Sequence, residues 1–249
     1  MKEFDYKAFY NRVGAENGWD FSKVKCQSEG IGIDLYSKLV QKATGTEILL
    51  DIGTGGGEAV LSISNSVLLA VGIDNSTGMI ATANKNAFAK GKTNVRFLLM
   101  DASNVDFPDS FFDLVTCRHS DFSASEVARV LIENGFFMTQ QVSESDKLNV
   151  KEYFGRGQAF GISEGTLKEK YVKALQDAGF SQIQSSESTV TEYYERPEDL
   201  IFLLKHTPII PHFGEYDDDF KILDEFIKAH TTERGIRTNS SRFMLVAKK

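Results

Sequence analysis

The feature that most constrains the fold of this chain is a glycine-rich segment that directly follows a short apolar stretch. Residues 47–52 are mostly apolar, and Gly53, Gly55, Gly56 and Gly57 follow almost at once. This order is typical of a buried strand that turns sharply into a helix, because glycine adopts the positive φ angles that such turns need. Backbone N–H groups at a turn of this kind face a ligand. The segment therefore predicts an α/β sheet that binds a nucleotide-like ligand at the end of its first strand.

Short apolar runs alternate with helical patterns along the chain, which is typical of βαβ units. Seven strands are predicted, at residues 47–52, 67–74, 95–101, 112–117, 136–142, 183–194 and 242–247. Helices are predicted at residues 58–64, 77–90, 125–132, 167–178, 197–206 and 216–230. The polar residues 143–165 contain repeated glycines and predict an irregular insertion or lid. We therefore expect a Rossmann-like, doubly wound, mostly parallel seven-stranded sheet with helices on both faces and a small helical cap.

A chain of 249 residues is long enough for one large α/β domain. Within it, residues 1–45 are aromatic-rich and predict an N-terminal helical lid. Residues 46–142 predict the ligand-binding core. Residues 143–249 predict the C-terminal half of the sheet, with cap helices at residues 196–230.

Composition excludes several classes of protein. The formal net charge of −7 disfavours broad electrostatic binding of nucleic acid. No apolar run is long enough to span a bilayer, and the first residues do not resemble a secretory signal. The chain has two cysteines and four histidines without metal-ligand spacing, so we expect a cytoplasmic protein without a metal site.

The residues around the glycines narrow the class of ligand. The dinucleotide fingerprint requires glycine three positions after Gly55, and Glu58 stands there. Asp51, at the end of the first strand, repels a pyrophosphate and suits a cationic ligand. An NAD-dependent oxidoreductase is therefore the least favoured interpretation, and the absence of a Gly-Lys-Ser/Thr sequence excludes a Walker A loop.

Residues 46–142 resemble the core of class I methyltransferases that depend on S-adenosylmethionine (SAM). Residues 49–57 resemble the family's motif I, residues 71–74 resemble motif II, and Asp101 with Ala102 resembles motif III. Residues 107–115 resemble the stretch that leads into the fourth strand. The resemblance implies that SAM is the cofactor, that Asp74 accepts hydrogen bonds from both ribose hydroxyls, and that Asp101 contacts the adenine amino group. Residues 196–200, 207–208 and 241–243 resemble a subgroup of small bacterial methyltransferases that is largely uncharacterised.

The residues expected to hold SAM lie at the carboxyl ends of neighbouring strands, which line one crevice of an open α/β sheet. They are Asp51, Gly53, Thr54, Gly55, Gly57, Asp74, Asn75, Met79, Asp101, Ala102, Cys117 and Arg118. Two of these residues also have simpler interpretations. Asp74, together with Ser76 or Thr77, is alternatively the cap of the following helix, and Asp101 is alternatively the first residue of a turn.

The end of the fourth strand is expected beside the methyl group. His119 is the candidate general base, because its ordinary pKa lies near neutrality, and Asp121 is the candidate residue that orients it. The alternative for His119 is a half-buried loop residue bonded to the backbone. Arg118 has two further interpretations, as the binding residue of an acidic substrate or as the partner of Asp121.

The leading hypothesis is a SAM-dependent methyltransferase that acts on a small molecule by in-line methyl transfer, as a monomer or homodimer. Such a transfer needs no metal, because the sulfonium is already a good leaving group. Two alternatives stay open, a methyltransferase of RNA or protein and a non-catalytic SAM-binding regulatory protein.

Overall fold

The computed structural model describes residues 4–249, and its centre is a single sheet. Within the described residues the sheet has nine strands: β1 (Cys26–Glu29), β2 (Ile48–Ile52), β3 (Leu69–Asp74), β4 (Val95–Leu99), β5 (Phe112–Arg118), β6 (Leu131–Val142), β7 (Ser181–Tyr194), β8 (Thr231–Thr232) and β9 (Gly235–Lys248). The α-helices are α1 (Tyr6–Glu16), α2 (Leu35–Lys42), α3 (Glu58–Ile63), α4 (Thr77–Ala89), α5 (Ala124–Val130), α6 (Leu148–Phe154), α7 (Thr166–Asp177), α8 (Pro197–His206) and α9 (Asp219–His230).

The order of the strands confirms the doubly wound, Rossmann-like architecture. The sheet runs β1-β7-β9-β6-β5-β2-β3-β4, with β8 paired to β9. Strands β4, β3, β2, β5 and β6 pair in parallel, whereas β6 with β9, β9 with β7, β7 with β1, and β8 with β9 pair antiparallel. The chain order reverses on either side of β2, so a crevice opens at the ends of β2 and β5. The expected number of seven strands was wrong, because β1 and β8 add to the sheet.

Helices cover both faces of the sheet, as expected. Alternate residues of β2 point to opposite faces, so that Leu50 packs with α5 and α7 and Leu49 packs with α2, α3 and α4. Both residues are fully buried, which explains why this strand is apolar throughout instead of alternating.

A third apolar cluster forms the helical cap at the end of the sheet. Phe226 of α9, Leu204 of α8 and Val150 of α6 pack against Ile236 at the beginning of β9. Helix α6 lies within the stretch that was predicted to be irregular, so that prediction was wrong for residues 148–154. No helix within residues 4–249 has the length and apolarity needed to cross a membrane.

The N-terminal segment is only partly helical. Residues 1–3 of the predicted lid lie outside the described residues, and residues 26–29 form β1, which pairs with β7 at the edge of the sheet. The prediction of a wholly helical segment was therefore wrong. Helix α1 packs closely on α4, and Gly14 and Gly78 lie at the crossing point.

The close approach of α1 to α4 gives a stability prediction. A Cβ on Gly14 would lie 2.7 Å from the carbonyl carbon of Gly78 and 2.9 Å from Cγ of Met79. We expect Gly14→Ala to lower the free energy of unfolding by about 1–3 kcal/mol, because the overpacked backbones must separate. Urea denaturation measures this loss.

The matched control for this prediction is Gly32→Ala. An added Cβ on Gly32 meets no atom within 4 Å. The control is expected to unfold at the same urea concentration as the wild type. Equal stability of Gly14→Ala and Gly32→Ala would contradict the tight crossing of α1 over α4.

Candidate active site

The glycine-rich loop has the predicted turn geometry. Gly53, Gly55 and Gly57 have φ angles of 70°, 58° and 76°. A side chain on Gly57 would overlap the ring of Phe97, so glycine is required for space as well as for conformation. The loop leads directly into α3, with Gly57 as its N-cap residue.

Most of the loop's backbone donors are bound to the neighbouring strand. The N–H groups of Gly53 and Thr54 donate to Ile73 O at 2.9 and 3.0 Å. The N–H of Gly55 donates to Oδ2 of Asp74 at 3.0 Å. The expectation that these N–H groups face a ligand was therefore wrong for Gly53, Thr54 and Gly55.

Asp51 is a buried carboxylate with one free oxygen. Its Oδ1 accepts hydrogen bonds from Thr116 Oγ1 at 2.6 Å and from Tyr36 Oη at 3.1 Å. Its Oδ2 is buried and lies beyond hydrogen-bond distance of every described donor, although the Thr54 hydroxyl is near enough to help lower the pKa of Asp51. Burial raises the pKa of Asp51, although the hydrogen bond from Thr116 opposes this shift. A buried, unpaired carboxylate oxygen is costly unless a donor or a cation meets it, which fits the ammonium group of SAM.

Arg118 supplies a positive charge near Asp51. Its guanidinium lies 4.9 Å from the ring centroid of Tyr36 and has no carboxylate partner within residues 4–249. Its charge acts to lower the pKa of both Asp51 and Tyr36. The alternative of an ion pair between Arg118 and Asp121 does not occur. Asp51 and Arg118 therefore present opposite charges at the adjacent ends of β2 and β5.

Asp74 lies where the resemblance implies a ribose contact. Its Oδ2 accepts from Gly55 N, and its Oδ1 accepts from Ser76 N at 2.9 Å. Burial raises the pKa of Asp74, and these backbone donors oppose the shift. Ser76, and not Asp74, is the N-cap of α4, with its hydroxyl accepting from Met79 N. The capping alternative therefore holds for Ser76 and not for Asp74, whose carboxylate is fixed at the end of β3.

The remaining predicted cofactor residues occupy varied environments. Asp101 is exposed and accepts from Ser103 N at 2.8 Å, so it does form the turn that was its simpler interpretation. Asn75 is exposed and Ala102 is half-buried. Met79 is buried where α4 meets the glycine loop. The side chain of Cys117 belongs to the core between the sheet and α5, so it does not face the crevice.

His119 and Asp121 do not form the predicted pair. His119 has a φ angle of 57°, and its Nε2 is buried without a hydrogen-bond partner in the described part of the chain. Burial, together with the guanidiniums of Arg242 and Arg118, lowers the pKa of His119 to about 3. Asp121 is exposed, and among the described residues its carboxylate accepts only a long hydrogen bond of 3.4 Å, from Tyr171 Oη. The prediction that Asp121 orients His119 was wrong, and His119 is a neutral hydrogen-bonding group, too weakly basic to serve as a strong base.

The N-terminal aromatic residues lie over the crevice. Trp19 N donates to Oε1 of Glu58 at 3.2 Å, and the Trp19 side chain packs against Gly55. The ring of Tyr10 lies 5.9 Å from that of Trp19. Burial raises the pKa of Tyr10, and the nearby Tyr6, Asp74 and Asp121 raise it further. The aromatic segment thus reaches from the glycine loop to the end of β5.

Sequence patterns did not reveal several residues of this region. Tyr36, which binds Asp51, lies on α2 and belongs to no recognisable motif. Gln140 and Gln141 fix the strand ends, since Gln140 Oε1 accepts from Leu35 N and Gln141 Nε2 donates to Ser120 O. Two adjacent glutamines at the end of a predicted apolar strand were the only available signal.

Comparison with known proteins gives consistent matches. Residues 49–135 match the methyltransferase domain family. An uncharacterised methyltransferase, YcgJ of Bacillus subtilis, is 34% identical over 131 residues, which are 50% of this chain and 51% of that protein. The chain therefore spans about half the length of that relative. A malonyl-[acyl-carrier protein] O-methyltransferase of Paenibacillus is 25% identical over 213 residues, which cover 74% of this chain and 76% of that protein.

A solved structure shares the fold over a longer range. The crystal structure of YcgJ from Bacillus subtilis superimposes with a TM-score of 0.61 and 23% identity. The superimposed region covers 86% of this chain and 97% of the YcgJ chain. At this identity, the comparison shows that the fold is common to both proteins.

The burial of Asp51 predicts a specific dependence of stability on pH. Because its pKa is raised on folding, the folded protein binds the proton more tightly than the unfolded chain. Ionisation of Asp51 therefore costs stability as the pH rises through the raised pKa, and the cost persists above it. We expect Asp51→Asn to gain stability relative to the wild type as the pH rises, in urea denaturation between about pH 4 and pH 8.

The control for this experiment is a variant of Asp101, whose stability relative to the wild type is expected to change with pH in the opposite direction. The backbone N–H of Ser103, followed by its hydroxyl, lowers the pKa of Asp101, so this carboxylate contributes stability that is lost as the pH falls. Asp101→Asn is therefore expected to lose stability relative to the wild type as the pH rises. If the stability of Asp51→Asn follows pH in parallel with the wild type, the inference that folding raises the pKa of Asp51 is contradicted.

Proposed function

We propose that this chain, which carries a class I, SAM-dependent methyltransferase domain, transfers the methyl group of SAM to a small organic molecule. One observation carries this proposal. The buried Oδ2 of Asp51 has no partner among the described residues, and the unpaired guanidinium of Arg118 lies close by. A ligand that satisfies both groups must present a positive and a negative charge at one end.

The methionine end of SAM has this pair of charges. We assign its ammonium to Asp51 Oδ2 and its carboxylate to Arg118. Both assignments use charge-assisted hydrogen bonds, which are stronger than hydrogen bonds between neutral groups. Tyr36 supports the arrangement, because its hydroxyl binds Asp51 and its ring lies against Arg118. The dinucleotide NAD lacks such a zwitterionic end, so the same pair of residues disfavours it.

The adenosine end extends from the glycine loop toward β4. Asp74 is held in place by the N–H groups of Gly55 and Ser76, and its carboxylate is the assigned acceptor for the ribose hydroxyls. Met79 and the small loop residues provide apolar contact beside it. Asp101 is assigned to the adenine amino group on the basis of its place in motif III.

Bound SAM supplies a methyl group on a positively charged sulfur, which departs as a neutral thioether. The chain's own residues bind and orient the cofactor and the acceptor, and they exclude water. We assign the exclusion of water to the aromatic segment over the crevice. His119 is neutral and is assigned to hydrogen bonding with the acceptor, because its lowered pKa makes it a poor proton acceptor.

Several observations favour a small acceptor over a polymer. Trp19 packs against Gly55 of the glycine loop, and Phe21 of the same aromatic segment contacts Phe202 of the cap. The net charge of −7 opposes binding of RNA. The Paenibacillus relative is named for methylation of a malonyl group, which is small although an acyl carrier protein holds it. We therefore propose a cytoplasmic monomer or homodimer with a small-molecule acceptor.

The proposed cofactor gives a direct binding test. Wild-type protein is expected to bind SAM and its demethylated product, S-adenosylhomocysteine, in isothermal titration calorimetry. We expect Asp74→Asn to weaken binding roughly ten- to hundredfold, because the ribose hydroxyls lose a charged acceptor. Asp106→Asn is the control, since Asp106 is exposed on the loop after β4 and is expected to change nothing. A wild-type protein that binds neither compound at millimolar concentration overturns the proposed function.

The assignment of Arg118 has its own ligand-based test. We expect Arg118→Gln to weaken the binding of S-adenosylhomocysteine about tenfold or more, because a charged hydrogen bond to the carboxylate is lost. The same variant is expected to bind 5′-methylthioadenosine, which lacks the amino-acid end, as well as the wild type does. An equal loss for both compounds would contradict the assignment and indicate a structural role for Arg118.

A further inference from the structure

Asp121 is a carboxylate beside the cofactor crevice that has no positively charged partner. It is exposed on the loop between β5 and α5, and no lysine or arginine within residues 4–249 forms an ion pair with it. The charged residues at the ends of the neighbouring strands have assignments in the proposed function. Asp51 and Arg118 are assigned to the amino-acid end of SAM, and Asp74 is assigned to the ribose. Asp121 is the carboxylate of this region that the cofactor leaves over.

The hydroxyl of Tyr171, on α7, contacts Asp121 from one side. It donates to Oδ1 of Asp121 at 3.4 Å, and this long hydrogen bond leaves the carboxylate able to accept stronger ones. The ring of Tyr171 is stacked on that of Phe122, with the ring centroids 5.2 Å apart. Phe122 packs in turn against the buried ring of Phe137 in β6. The aromatic surface on this side of Asp121 is therefore anchored in the core of the protein.

Two further phenols lie near Asp121 on α1. Burial raises the pKa of Tyr10, and the neighbouring Tyr6, Asp74 and Asp121 raise it further. Burial, followed by the charge of Asp121, also raises the pKa of Tyr6. Because such charge effects weaken with distance, the hydroxyl of Tyr10 lies between the ends of β3 and β5, and that of Tyr6 lies on the Asp121 side. Phenols from α1 and α7 thus converge on one carboxylate.

The electrostatic field around these phenols is negative. The groups whose charge acts on Tyr6, Tyr10 and Tyr171 are all acidic, and no lysine or arginine of the described residues contributes. The face of an aromatic ring also attracts cations. A carboxylate beside aromatic rings is therefore suited to an ammonium group and repels an anion.

The loop that carries Asp121 also passes the expected position of the methyl group. A side chain on Gly53 would overlap Ser120, so this loop lies directly against the glycine loop. His119 is half-buried, and its Nε2 has no hydrogen-bond partner in the described part of the chain. The Cα atoms of His119 and Asp121 are at most about 7 Å apart, because one residue separates them. One small acceptor therefore reaches both residues.

We propose that Asp121, together with the phenols of Tyr6, Tyr10 and Tyr171, binds a cationic amine group of the methyl acceptor. This inference rests on the proposed function, since it takes the neighbouring crevice to hold SAM. A protonated amine has no lone pair with which to attack a methyl group. The ammonium at Asp121 therefore anchors the acceptor, and the reacting atom belongs to another group of the same small molecule.

The sulfonium of SAM is a second cation that a negative field favours. A carboxylate that faces the sulfonium strengthens the binding of SAM relative to S-adenosylhomocysteine, whose sulfur is neutral. Asp121→Asn is expected to change the affinities for both compounds equally little in isothermal titration calorimetry. A loss of affinity for SAM alone overturns the amine site and places Asp121 beside the cofactor.

The test of the amine site uses wild-type protein saturated with S-adenosylhomocysteine. Ethylamine and benzylamine, which are cations near pH 7, are compared with neutral ethanol and benzyl alcohol at the same chloride concentration. At least one amine is expected to raise the Tm more than its alcohol does. Failure of both amines while S-adenosylhomocysteine still binds overturns the amine site and leaves the proposed function intact. Failure of S-adenosylhomocysteine itself to bind overturns the proposed function.

Asp121→Asn is the informative variant in the same measurement. Asp121 is exposed, so the substitution is expected to leave the Tm of the free protein nearly unchanged. It is expected to weaken amine binding about tenfold or more, because the ammonium loses a charged acceptor. Asp106→Asn, which alters an exposed carboxylate on the loop after β4, is the matched control that keeps amine binding. Equal amine affinity in the two variants overturns the proposal.

Discussion

The burial of the Asp51 carboxylate at the point where the strand order reverses is the constraint around which the site is arranged. One oxygen is fixed by Thr116 on the adjacent strand and by Tyr36 on α2, and the other has no partner among the described residues. The hydroxyls orient the charge without neutralising it. The fold thus carries an electrostatic cost, which the ammonium group of the proposed SAM would remove.

The sequence predicted the parts of the fold in which pattern and burial agree. Strands β2, β3 and β5 are apolar because helices cover both of their faces, and their polar ends follow from the topology. Strand β1 escaped prediction because its residues are polar and mostly exposed. The first half of β9 escaped because Thr238 and Ser240 are buried although they are polar. The prediction of β9 therefore failed where polar groups lie inside the protein.

The pair of His119 and Asp121 illustrates a second limit. The residues are two apart, and in a continuing strand their side chains would lie on one face. The positive φ of His119 ends the strand and separates them. Sequence spacing gives a distance only while the secondary structure continues, and functional residues often lie just beyond its end.

The aromatic segment near the N-terminus connects the two halves of the site. Trp19 lies against Gly55 of the cofactor loop, and its ring contacts Phe21, which in turn contacts Phe202 of α8 in the cap. Movement of this segment away from the glycine loop therefore disturbs its packing against the cap. The rings therefore form one continuous series that joins the glycine loop to the cap. Under the proposed function, this apolar cover would keep water away from the activated methyl group.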